Sequence, residues 1–194
     1  MRSIKDSGKT SFKWLQTGNL ESNLVSDDSS EPFATLRWAK SWGSLATGIS
    51  SDGSWTFKRS GFLHPRVTVR EAGSDSNIAT FSYVGNGKGV VEFPNEAVSF
   101  SVEKSTQDNS VWIVKNADLV DEKILTVHAD FEWTNLGSSK KIGAKVEIEQ
   151  SALQEHLVSL LALISWYIVI LTTFDDYSAY MGSITASIVA ATTH

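Results

Sequence analysis

Hydrophobic and polar residues alternate with a period of two along most of the chain between Phe33 and Ile148. Val98, Phe100 and Val102, for example, are each separated by one polar residue. Clusters of Gly, Asp, Asn and Pro interrupt the alternation roughly every eight to twelve residues, which is typical of an all-β barrel or sandwich. The pattern therefore predicts roughly ten to twelve short antiparallel strands.

The predicted strands begin before this region, because Ser11–Leu15 also alternates. Residues 22–31 are rich in Ser, Asp and Glu and predict a loop. The predicted strands lie at residues 11–15, 34–39, 45–49, 55–60, 66–70, 78–83, 90–93, 98–103, 111–114, 125–133 and 142–148.

An unbroken apolar run, His156–Phe174, follows the last predicted strand and carries no formal charge. As a helix it would be roughly 28 Å long, at about 1.5 Å per residue. A helix that is apolar on all sides must be surrounded by apolar matter, which is either lipid or the rest of the protein. The run is too long for an ordinary strand, so the sequence predicts a helix.

A closed barrel and an internal helix satisfy both patterns. A barrel of about twelve strands is too wide for its own side chains to fill, because barrel diameter grows with strand number. We therefore predict a mainly β fold: a closed antiparallel barrel of about 12 strands that encloses a central hydrophobic C-terminal helix. In this prediction the helix covers 151–174, with Ser151 as its cap and Gln154 at the capping-box position, and Asp175-Asp176 ends it.

The predicted organisation is a polar N-terminal extension over 1–31, the barrel with its helix over 32–176, and a tail over 177–194 of small polar and apolar residues. The tail is compatible with a last strand, a frayed end or a weak second helix. In the alternative organisation, residues 157–174 span a bilayer and anchor the barrel. The soluble form is favoured, because polar residues dilute the run and no Lys or Arg flanks either end.

Composition narrows the class of protein. The net charge is -5, which argues against nucleic acid as a partner, since nucleic-acid binding requires a basic surface. The absence of Cys excludes disulfides and thiolate zinc sites. The first residues, Met1–Gln16, lack the apolar centre of a signal peptide, so we expect a cytoplasmic location, with membrane association as the alternative.

No residue constellation indicates an enzyme, a metal site or a cofactor. The four histidines, His64, His128, His156 and His194, do not have metal-ligand spacing. The segment Gly85–Gly89 has the glycine density of a phosphate-binding loop but lacks the Lys-Ser/Thr ending, and a hairpin turn is the favoured interpretation.

The best candidate binding residues are basic: Lys58, Arg59, Arg66 and Arg70, on two neighbouring predicted strands. On a barrel exterior they would form one patch able to bind anionic lipid headgroups, each contributing about 1 kcal/mol near an anionic membrane. The competing interpretation is an ordinary exterior of mixed charge.

The chain resembles the tubby-like barrels, a superfamily that includes the tubby C-terminal domain, the LURP-one-related proteins and the phospholipid scramblases. The resemblance rests on Asp52–Arg59, on Val67–Arg70 and on the apolar run Leu157–Phe174, and it covers about residues 33–174. It implies a helix on the barrel axis and a non-enzymatic binding or scaffold role, with phosphoinositide or other anionic headgroups, or protein partners, as ligands. Scramblase palmitoylation does not carry over, because this chain has no Cys.

Overall fold

Twelve antiparallel strands form one closed barrel in this computed structural model, which describes residues 1–41, 43–61, 65–85, 88–119, 122–133 and 139–192. For 133, 139–141 and 179–192 it describes the backbone alone. The elements are α1 (Ile4–Ser7), β1 (Ser11–Gly18), β2 (Glu21–Ser26), β3 (Ser29–Trp38), β4 (Leu45–Ser50), β5 (Gly53–Ser60), β6 (Arg66–Glu71), β7 (Asn77–Gly85), β8 (Lys88–Phe93), β9 (Val98–Lys104), β10 (Val111–Asn116), β11 (Lys123–Trp133), β12 (Ser139–Ile148), a 3₁₀ helix (Ser151–Gln154) and α2 (Val158–Thr192).

Each strand pairs with its neighbours in sequence, and β1 pairs with β12 to close the barrel, with Phe12 opposite Val146. Every one of the described strands therefore has two partners, which removes the open edges that a flat sheet would have. The predicted fold class is confirmed: the protein is mainly β, and a largely buried apolar helix occupies the barrel.

The helix α2 enters the barrel at the end where β12 finishes, here called the entry end, and leaves at the opposite end, here called the exit end. From Val158 to Leu171 every residue is buried. Trp166 stacks on Trp14 of β1 with ring centroids 5.8 Å apart and planes 10° apart. Tyr167 stacks on Trp38 of β3 at 4.9 Å. These aromatic contacts fix the helix along the axis by apolar burial and ring packing.

Gly48 explains how the wall of β4 approaches the helix so closely. A Cβ atom at this position would lie 2.6 Å from a ring carbon of Phe57 and 3.1 Å from a methyl carbon of Leu163. Only the absence of a side chain leaves room for both neighbours, which is a common reason for glycine inside a strand.

The N-terminal region differs from the prediction. Residues 22–31, predicted as a loop, supply β2 and the start of β3, and the boundary drawn at residue 31 falls inside β3. The inward face of β2 carries Ser22 and Ser26 beside Leu24, so its hydrophobic alternation is weak. Pairing with β1 and β3 makes this polar segment a strand.

The predicted helix start is wrong. Ser151 begins a short 3₁₀ helix, and the residue before it, Gln150, makes no side-chain cap. Glu155 is extended (φ -64°, ψ 129°), and α2 begins only at Val158. The chain needs this detour to turn from the wall onto the axis, and the 3₁₀ helix buries Ala152 and Leu153 there.

The predicted helix end is also wrong, because α2 continues through Asp175-Asp176 to Thr192. Of the three alternatives for the tail, the helical one is therefore observed. Within the described residues, one helical stretch, Val158–Ser178, is long and apolar enough to cross a membrane, and 78% of its most apolar window is buried inside the protein.

Candidate functional site: a basic outer face

The four basic residues predicted as one patch lie on two sides of the barrel wall. The side chains of Lys58, Arg66 and Arg70 alternate with buried Phe57, Val67 and Val69 and therefore face outward. Arg59 has the parity of the inward-facing side chains of β5 and is not part of this outer patch.

Arg59 lies at the exit end, where its guanidinium forms an ion pair with Asp175 of α2. Burial lowers the pKa of Arg59, but the hydrogen bond and negative charge of Asp175, together with Tyr83, raise it by more, so that its net pKa is raised. This residue connects the wall to the helix, which is a structural role.

The outward face of β4–β7, which we call the cationic wall, contains three cations and no carboxylate. Since the whole chain has a net charge of -5, this face is a local exception to the overall charge. Its outward residues are Leu45, Thr47, Ile49, Ser54, Thr56, Lys58, Ser60, Arg66, Thr68, Arg70, Asn77, Thr80, Ser82 and Val84.

The strand register places small hydroxyl residues between these cations. Lys58 is opposite Thr68, and Arg66 is opposite Ser60 on one side and Ser82 on the other. Arg70 donates from Nε to Oδ1 of Asn77 at 2.8 Å, a neutral partner. Within the described part of the chain, none of the three cations forms an ion pair.

Cations elsewhere on the barrel are mostly neutralised. Lys123 Nζ lies 2.7 Å from a carboxylate oxygen of Glu149, and Lys145 Nζ lies 2.6 Å from one of Glu147. Lys13 pairs in the same way with Asp27 at 2.5 Å. The three cations of the cationic wall differ from these, because they form no ion pair that would stabilise the described part of the fold.

Exposed aliphatic side chains accompany these cations. Leu45, Ile49 and Val84 of the cationic wall are 46%, 43% and 74% exposed. A surface that combines unpaired cations with exposed aliphatic groups can bind an anionic interface by charge attraction and by shallow apolar contact.

The other candidate chemistry does not assemble into a site. Among the described residues, no group of three or more His, Asp or Glu side chains is placed to hold a metal ion. His156 pairs with Glu96, and His128 Nε2 lies 3.6 Å from Glu147, while His64 and His194 lie outside the described residues.

The glycine-rich segment joins two paired strands. Gly85 has φ 119° at the end of β7 and pairs with Lys88, which begins β8. A strand follows this segment, whereas a phosphate-binding loop leads into a helix. Residues 86 and 87, at the centre of the predicted turn, lie outside the described residues.

The aliphatic part of the cationic wall was not predicted, although the sequence contains its signal. Once the inward parity of each strand is assigned, Leu45, Ile49 and Val84 fall on the outward face together with Lys58 and Arg66. Reading the outward residues of four consecutive strands as one surface would also have separated Arg59 from the patch.

Comparison of the chain with protein-family models, with curated proteins and with solved structures finds no match.

Proposed function

We propose that this protein is a non-enzymatic binding module of the tubby-like type that attaches to anionic membrane surfaces through its cationic wall. The observation that carries the proposal is the carboxylate-free outward face of β4–β7, where Lys58, Arg66 and Arg70 form no ion pair with any described residue. An internal helix that fills the barrel axis is also what the tubby-like resemblance implies.

The expected electrostatic contribution is large enough to measure. Each basic side chain near an anionic membrane contributes about 1 kcal/mol, so the three cations together contribute about 3 kcal/mol, or roughly a hundredfold in partitioning. The attraction acts within a Debye length, about 8 Å at physiological ionic strength, and should therefore weaken as salt is added.

The burial of Val158–Leu171 inside the barrel supports this function over the alternative in which residues 157–174 span the bilayer. For those residues to contact lipid, α2 would have to leave the barrel and expose the inward faces of the strands to water. That exchange would remove the ring stacking of Trp166 and Tyr167 with β1 and β3.

Vesicle co-sedimentation tests the proposal. The full chain is mixed with vesicles of phosphatidylcholine alone, or with added phosphatidylserine or phosphoinositide, and the bound fraction is measured. The triple variant Lys58→Gln/Arg66→Gln/Arg70→Gln should bind anionic vesicles roughly a hundredfold more weakly than the wild type.

The matched control is Lys13→Gln/Lys123→Gln/Lys145→Gln, which removes the same charge from sites that are ion-paired in the fold. It should bind nearly as the wild type does. Equal loss in both triple variants would reduce the effect to net charge, and wild-type binding that is independent of lipid charge would contradict the proposal.

A further inference from the structure

The two ends of the barrel differ in charge. At the entry end, every connection between consecutive strands contains a carboxylate, and the described residues of these connections include no Lys or Arg. These carboxylates are Asp27, Asp28, Asp52, Asp75, Glu96, Asp118 and Glu122. Asp27 and Asp28 pair with Lys13 and Lys9, and α1 with Lys5 also lies at this end, so the entry end has mixed charge with carboxylates in excess.

The connections at the exit end carry fewer charges. The described residues of these connections are nearly uncharged, with Lys40 and Asp108 as the exceptions. On one side, the rim of this end is formed by the part of the cationic wall nearest to the exit end. There Leu45 is opposite Lys58, and Val84 lies two residues after Ser82, which is opposite Arg66. Cations and exposed aliphatic side chains therefore lie together where α2 emerges.

The carboxylates of α2 at this end are neutralised. Asp175 pairs with Arg59, and Asp176 lies 2.9 Å from Nζ of Lys104. Lys104 also lies over the ring of Trp112, 5.8 Å from its centroid. An acidic pair that would otherwise repel an anionic membrane is thus compensated from β5 and β9.

Beyond these two ion pairs, α2 continues from Tyr177 to Thr192 without a charged residue. This stretch, here called the projecting segment, is about 24 Å long at about 1.5 Å per residue, and it begins where the burial of α2 ends, with Tyr177 still half-buried. It includes Gly182 and β-branched residues such as Ile184 and Ile188, which have low helix propensity. A helix of this length and composition is marginal in water, whereas lipid forces backbone groups into internal hydrogen bonds.

We propose that the projecting segment inserts into the lipid bilayer, with the exit end of the barrel lying against the membrane surface. This inference rests on the proposed attachment to anionic membranes and adds an orientation and a second anchoring element to it. The charge difference between the ends, the rim of Leu45, Lys58, Arg66 and Val84, and the neutralised Asp175-Asp176 pair all favour a membrane as the occupant over a second copy of the chain.

Site-specific fluorescence tests the insertion. The chain has no Cys, so a single introduced Cys can be labelled with an environment-sensitive dye. Ile188→Cys places the dye on the projecting segment, and Ser51→Cys places it in a turn at the entry end. With phosphatidylcholine/phosphatidylserine vesicles, quenching of the dye at 188 by dithionite should slow roughly tenfold, as expected for a group buried at the acyl boundary, whereas the dye at 51 should not change.

A salt wash separates this inference from the proposed function. Vesicle-bound wild type should remain bound at 1 M NaCl, where the Debye length is about 3 Å, while Ile184→Asp/Ile188→Asp should be released. If the variant with three Gln residues in the cationic wall loses binding but the dye at 188 stays accessible in the wild type, the insertion is wrong and the proposed function stands. If the dye at 188 is protected equally on neutral and anionic vesicles and that variant binds like the wild type, the insertion stands and the proposed function is wrong.

Protection of the dye at 188 that rises with protein concentration in the absence of vesicles would overturn the inference. It would show that a second copy covers the segment.

Discussion

The guanidinium of Arg59 and the carboxylate of Asp175 form an ion pair across 116 positions of sequence, with Nη2 3.3 Å from Oδ1. Arg59 ends the inward-facing row of β5, and Asp175 lies where α2 leaves the barrel. The contact therefore connects the barrel wall to the helix at the point where burial of the helix stops.

Loss of this contact should loosen the helix at the exit end more than it destabilises the barrel. The side chains are 28% and 55% exposed, so solvent screens the pair, and a double-mutant cycle with Arg59→Gln and Asp175→Asn should give a coupling energy of at most about 1 kcal/mol. Amide exchange should accelerate in residues 174–178. As a control, Lys145→Gln breaks an exposed pair on β12 and should leave that exchange unchanged. Unaltered exchange in Arg59→Gln would contradict the assigned role.

The stacking of Trp166 on Trp14 should dominate the stability of the core. Trp166→Ala should lower the free energy of unfolding by about 3–5 kcal/mol, because it leaves a cavity on the axis. The buried Nε1 of Trp166 has no hydrogen-bond partner among the described residues, so Trp166→Phe loses no hydrogen bond and should cost less. Urea unfolding of both variants measures the difference, and equal losses would show that ring size is not the determining factor.

A methyl group at Gly48 should be poorly tolerated. Gly48→Ala places a Cβ atom 2.6 Å from Phe57 and forces either the ring or Leu163 of α2 to move, at a cost of about 1–3 kcal/mol. Gly18→Ala is the matched control, because the nearest atom to its Cβ is 4.0 Å away. Thermal unfolding should separate the two variants, and similar midpoints would mean that the helix does not press against β4.

Stability should fall on the alkaline side through Tyr167. Burial raises the pKa of Tyr167, whose hydroxyl donates to the carbonyl of Ser44. Because the folded state holds the proton more tightly than the unfolded state, this contribution is fully present below the unfolded pKa of about 10 and is lost as pH rises from there toward the folded pKa.

The measurement is the slope of unfolding free energy against pH between about 9 and 11. Tyr167→Phe should give a shallower slope, and at neutral pH it should cost only about 1 kcal/mol for the lost hydrogen bond. Tyr83, whose pKa is also raised by burial, remains in the variant, so part of the slope should persist. Parallel slopes would show that Tyr167 ionises freely in the folded protein.

Periodicity was sufficient to predict the barrel, because its inward faces are almost wholly apolar and the strands are short and regular. It was insufficient for β2, where buried Ser22 and Ser26 replace apolar residues and pairing with neighbours determines the structure. The closed topology followed from the need to enclose His156–Phe174, which is a packing argument and not a local signal.

The ends of α2 depend on contacts that are distant in sequence. Asp175-Asp176 resembles a helix stop, but Arg59 and Lys104 compensate both charges, and neither pairing can be read from spacing. The position of the predicted basic residues depends in part on such a distant contact. Strand parity alone places Lys58, Arg66 and Arg70 outward and Arg59 inward. The reason for a cation at this inward position is its ion pair with Asp175, which strand parity does not reveal.

The pairing of β1 with β12 has a consequence for synthesis of the protein. Ser11 meets Glu147 only after almost the entire wall has been made, and α2 follows still later in the chain. Until β12 has been synthesised, the first eleven strands must stay paired with one another while the centre of the barrel is empty. Since folding slows as contacts become more distant in sequence, we expect closure to be the slow step and the unfinished chain to depend on chaperones.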